Sequence, residues 1–95
     1  MNTIRITGDG TYPIPRIKQG DAADKLIILA SGVYGTATVH LNVYNGNGVL
    51  VPLDGGSLLP NVQRVLHKGS TLMFAVVVTT SDVTTNIVVD TEETG

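Results

Sequence analysis

Between Gly35 and Tyr44 polar and apolar residues alternate. Ala37, Val39, Leu41 and Val43 fall on one side of an extended chain, and Thr38, His40, Asn42 and Tyr44 fall on the other. A period of two is the mark of a half-buried β-strand. Asn45-Gly46-Asn47-Gly48 then supplies turn chemistry and Val49 to Leu53 returns as a second strand, so the segment predicts a β-hairpin. Thr3 to Thr7 alternates in the same way and stops at Gly8-Asp9-Gly10. Tyr12 to Ile17 holds two prolines around Ile14. Proline has no N–H to give to a ladder, so this stretch predicts an edge strand or a surface arm.

Two runs do not alternate. Lys25 to Ala30 and Thr71 to Val78 are almost continuously apolar, which predicts central strands covered on both faces. Gln19 to Asp24 predicts a loop or a single helical turn before the first of them. Asp54-Gly55-Gly56-Ser57 and His67-Lys68-Gly69-Ser70 carry strong loop and reversal signals. Val62 to Leu66 fits a bulged strand as well as a turn of helix. Ser81 to Thr85 turns the chain into a last strand, Asn86 to Asp90. The whole predicts an all-β chain of roughly six to eight short antiparallel strands in a compact two-sheet β-sandwich, jelly-roll or immunoglobulin-like. Residues 1–17 are expected as an extended arm or edge strand, 18–90 as the sandwich core and 91–95 as a frayed polar tail.

Composition changes this picture in three ways. A chain of 95 residues forms one modest core, and without cysteine it has neither disulfides nor thiolate metal sites to reinforce it, so such a chain gains from a partner. A net charge of −2, with six Lys and Arg spread along the chain, speaks against nucleic acid as a partner. No apolar run approaches the roughly 20 residues that span a bilayer. Met1-Asn2-Thr3-Ile4-Arg5 lacks the layout of a signal peptide, so no membrane role and synthesis in a cytoplasm are expected.

Candidate chemistry is sparse. His40 and His67 lie in different segments without a neighbouring carboxylate, and zinc needs three or four ligands. Asp9, Asp21, Asp24, Asp54, Asp82 and Asp90 sit beside Gly or Thr, where Asp assists turns, and Ser31, Ser57, Ser70 and Ser81 occupy turn contexts outside any Gly-x-Ser-x-Gly elbow. Gly8-Asp9-Gly10 and Gly46-Asn47-Gly48 precede no helix that could hold a phosphate. No catalytic residue, cofactor site or metal site is therefore assigned. A hydrolase would need an Asp or Ser clustered with His40 or His67 in one cleft. A sugar site would need a polar groove beside exposed Tyr34 and Tyr44.

Gly35 to Tyr44, Gly48 to Leu53, Leu72 to Val78 and Asn86 to Val89 together resemble the small β-rich virion proteins that decorate or cement the capsids of tailed bacteriophages. The likeness rests on strand pattern and turn placement. It implies a non-enzymatic structural protein on the capsid exterior, made in the host cytoplasm and joined to the virion. Its partners would be the major capsid protein and further copies of itself, commonly as a homotrimer. Apolar residues beside rigid prolines lose little entropy on docking, which makes Tyr12, Ile14 and Ile17, with Leu58 and Leu59, the candidate protein contacts. A tail- or fibre-associated module that binds carbohydrate is the alternative.

Overall fold

The structure, a computed structural model, describes residues 1–15, 25–67 and 73–94. Eight strands follow one another as β1 (Asn2–Ile6), β2 (Gly10–Pro13), β3 (Lys25–Val33), β4 (Thr38–Tyr44), β5 (Leu50–Ser57), β6 (Gln63–His67), β7 (Phe74–Thr79) and β8 (Asn86–Thr94). They form two four-stranded sheets, β1-β8-β3-β6 and β2-β7-β4-β5, antiparallel throughout. Folding the chain in half at the β4–β5 hairpin sets β4 against β5, β3 against β6, β2 against β7 and β1 against β8. This nested pairing is a jelly roll, and an immunoglobulin sandwich pairs its strands differently.

The hairpin forms because Asn45 closes its own turn. Its side-chain Oδ1 accepts from the amides of Asn47 at 2.9 Å and Val49 at 3.0 Å, while its carbonyl accepts from Gly48 N. Alternation along β4 then sends Val39 and Leu41 inward, where they meet Val76 and Val78 of β7. From the first sheet Ile6, Leu26, Ile28, Ile87 and Val89 close the same layer. Apolar area leaving water on both inner faces is the main stabilising term of the sandwich.

Three sequence expectations are corrected, and one left open between strand and helix resolves as strand. β3 is central, between β8 and β6, but only Leu26, Ile28 and Ala30 are buried; Ile27 and Leu29 on its other side stay half-exposed. Asp54 to Ser57 is not a loop but the end of β5. The register slips there, with Asn42 opposite Pro52 and His40 opposite Ser57, so β5 bulges across Leu41. Gly55 at φ 70° bends the strand, and Gly56 lies so close to β4 that a Cβ would sit 2.5 Å from Leu41 O. The supposed tail is strand: Thr91 to Thr94 pairs with Ile28 to Lys25, and Thr91 and Glu93 turn into the interlayer. Val62 to Leu66 overlaps strand β6.

The opening residues are not a free arm. They supply β1 and β2, one edge strand to each sheet, with Ile6 and Ile14 in the core. The expected loop over 19–24 and all but His67 of the 67–70 reversal lie outside the described residues. At the opposite open side Arg64 of β6 reaches across to the other sheet. Its guanidinium donates to Gly55 O at 2.7 Å and Ser57 O at 3.0 Å, tying β6 to the bulge of β5.

The two sides of β3 separate cleanly by mutation. Ile28→Ala is expected to lower unfolding free energy by about 2–5 kcal/mol, and Ile27→Ala by about 1 kcal/mol or less, measured as urea midpoints. Equal losses would contradict the burial pattern.

Candidate functional site

The predicted contact residues scatter. Pro13 and Pro15 do keep the chain extended, but alternation turns the prolines outward and Ile14 inward, where it is buried and its amide donates to Phe74 O at 2.9 Å. Leu58 is buried likewise, its amide bonded to Val39 O. Tyr12 packs half-buried against the core and donates its hydroxyl to Gly8 O at 2.7 Å. Ile14 and Leu58 anchor the fold and are not free to grip a partner, while half-buried Tyr12 keeps part of its ring at the surface. Leu59 is 59% exposed and keeps the expected role open, and Ile17 lies outside the described residues.

Two sheet faces offer more. On the outer side of the first sheet, cross-strand rows run Thr3-Asp90-Leu29-Gln63 and Glu92-Ile27-Val65. Half-exposed Ile27 and Leu29, Val65 at 57% exposure and Met1 at 82% make an apolar lane beside the carboxylates of Asp90 and Glu92. A shallow depression of about 160 Å³ lies among Met1, Ile27, Leu29, Gln63, Asp90 and Glu92. Thr3 holds one wall by donating to Asp90 Oδ1 at 2.7 Å.

On the outer side of the second sheet, His40, Asn42, Pro52, Val77 and Thr79 line a groove of about 240 Å³. Nδ1 of His40 donates to Asn42 Oδ1 at 2.9 Å, because a carbonyl oxygen can only accept. Tyr44 shares this face, whereas Tyr34 does not. Tyr34 packs against the core and donates its hydroxyl to Leu58 O at 2.8 Å, and burial pushes its phenol up from the ordinary value. The Tyr34–Tyr44 sugar groove expected from sequence is therefore not formed.

The turn at Ser81 to Thr85 is a knot of polar bonds. Asp82 Oδ1 accepts from the Thr84 hydroxyl at 2.6 Å and amide at 2.8 Å, and Oδ2 accepts from the Thr36 amide at 3.1 Å. Thr85 in turn donates to Tyr34 O at 2.9 Å, and Thr36 to Thr80 O at 2.6 Å. Gly35, at φ 62°, leaves the space that the carboxylate fills. Thr84 first, then Thr36, holds Asp82 below the usual carboxyl value, and Ser81 does the same for Asp9. These aspartates serve turns, as their sequence neighbours suggested.

His40 sits on the second sheet and His67 on the first. Ser57 is the cross-strand neighbour of His40, but no hydrogen bond joins their side chains. Among the described residues no three His, Asp or Glu side chains stand close enough to hold a metal ion, and no helix is long and apolar enough to cross a membrane. No family model matches the chain, and no curated protein or solved structure matches it either.

The knotted turn makes acid stability testable. Asp9 and Asp82 have folded pKa values below their unfolded ones, so their stabilisation is fully present above the unfolded value, about 3.9. It is lost as pH falls through the lower folded values. Urea midpoints from pH 6 downward should drop below about pH 4, and the drop should be shallower in Asp82→Ala. An unchanged slope in that variant would remove Asp82 from the account.

Proposed function

We propose that this chain is a non-enzymatic virion structural protein. It binds the outside of a phage capsid as a decoration or cement protein, self-associates as a homotrimer and strengthens the shell. The observation that carries this reading is the outer face of β1-β8-β3-β6. β3 is apolar on both sides, yet the described chain buries only the Leu26-Ile28-Ala30 side. Ile27, Leu29 and Val65 are what a sheet exposes when a neighbouring subunit completes its burial.

The energetics suit a lattice binder. A protein that binds only the assembled shell stabilises it in proportion to the logarithm of its free concentration over Kd. A trimer with three footholds turns weak single contacts into long residence. Asp90 and Glu92 share the outward side of the sheet with Arg5 and Lys25, so the lane is rimmed by both signs of charge and favours a partner surface that complements that pattern. In this reading the capsid subunit covers this face.

Co-sedimentation with expanded capsids tests this directly. The wild-type chain is expected to bind at micromolar concentration and to raise the temperature at which the shells open. Leu29→Glu should stay folded by circular dichroism and bind roughly 10- to 100-fold more weakly, the loss expected when a leucine no longer leaves water. Binding by neither protein rejects the reading, and equal binding by both moves the contact elsewhere.

A further inference from the structure

We infer that the groove on the outer face of β2-β7-β4-β5 is a binding site for a neutral saccharide unit, held through adjacent hydroxyl groups by Asn42 and His40. Asn42 is only 8% exposed and lines the groove, yet its one side-chain bond is the one its Oδ1 accepts from His40. Among the described residues its Nδ2 has no partner. An amide donor buried without an acceptor is costly, and native chains seldom keep one without a use.

Tautomer logic fixes the rest of the recognition pattern. With Nδ1 donating to Asn42, Nε2 is the ring nitrogen that serves as acceptor in the tautomer carrying its proton on Nδ1. The site thus presents one donor and one acceptor on two side chains that are already hydrogen-bonded to each other. A pair of neighbouring hydroxyls satisfies both at once, one oxygen accepting from Asn42 Nδ2 and the other hydroxyl donating to His40 Nε2. Pro52 and Val77 add aliphatic surface for the C–H face of a ring, and the exposed Thr79 offers a further hydroxyl.

Charge and place narrow the ligand class. No Lys, Arg, Asp or Glu lines the groove, which disfavours a charged ligand. About 240 Å³ lies below the roughly 300–1,000 Å³ of drug-sized pockets and suits one ring. An extended peptide binds sheets by adding a strand at an edge, whereas β4 and β7 are the two inner strands of this sheet.

The site lies on the opposite sheet from the proposed capsid contact, so the two stand or fall separately. The test is a titration of isotope-labelled full chain by NMR with D-glucose, D-galactose, D-mannose and N-acetyl-D-glucosamine. Tetrahydropyran-2-methanol, a ring without adjacent hydroxyls, is the control. At least one sugar is expected to give saturable shifts at the Asn42 side-chain amide and the His40 ring, with a dissociation constant on the order of 1–10 mM. The control should give none.

Asn42→Leu should abolish the shift at the His40 ring, but it also removes the acceptor of the His40 Nδ1 bond. Asn42→Asp, which keeps an oxygen acceptor and deletes only the Nδ2 donor, is therefore the paired variant and should lose binding as well. Should Asn42→Leu fail to fold, Asn42→Asp carries the test, and binding retained in it overturns the proposal. His40→Gln and Thr79→Val provide a second arm, with at least about tenfold weaker binding expected for the histidine change. No saturable shift with any sugar to about 50 mM, equal shifts with the control, or unchanged binding in Asn42→Leu or His40→Gln would each overturn the assignment.

Discussion

One interlayer is all that two four-stranded sheets can make, and every strand must divide its side chains between that layer and the outside. Where the sequence alternates, as in β4, the division is clean: Val39 and Leu41 go in, His40 and Tyr44 go out. Where it does not, the surplus surfaces. β3 meets the interlayer with Leu26 and Ile28 and has nowhere within the described chain to put Ile27 and Leu29. β7 handles the same surplus differently, since its outward Ala75 is small enough to vanish beneath its neighbours. The contrast between these central strands gives the molecule two unlike exteriors, one with an apolar lane beside carboxylates, the other with an uncharged groove around Asn42 and His40.

Closure at the sandwich margins relies on polar groups that reach between strands. Arg64 clasps two carbonyls of the β5 bulge, and Asp82 gathers the Thr36 and Thr84 amides at the far turn. Neither is a surface ion pair, whose worth would be small. Each satisfies backbone groups that regular pairing leaves over, which is why a low-charge chain can still close its ends.

Much of the architecture was legible in the sequence because its signals are local. The Asn45 turn, the alternation of β4 and the apolar run of β7 each depend on residues a few places apart. Strand order is not local, and neither is the fate of residues whose partners come from afar. Ile14 and Leu58 read as surface anchors beside prolines, but Phe74 and Val39 pull them inward by backbone bonds from distant strands. Gly55 and Gly56 spell a loop unless one knows that Leu41 lies across from them. Asn42 resembles any polar member of an outward stripe. Only Pro52 and Ala75, brought beside it by pairing, turn that position into a buried one, and the single sequence hint was its place between His40 and Tyr44.

The nested pairing also ranks the strand pairs by how far apart in the chain their partners lie. β4 and β5 are neighbours in sequence, and each further pair encloses the one before it, until Ile6 meets Ile87 and Asn2 meets Thr91. Loop-closure entropy rises with the sequence separation of each pair, so β4 with β5 is the cheapest pairing to close and β1 with β8 the costliest. Wherever β1 is not in place, the margin of β8 that it covers is a strand edge available to any neighbour.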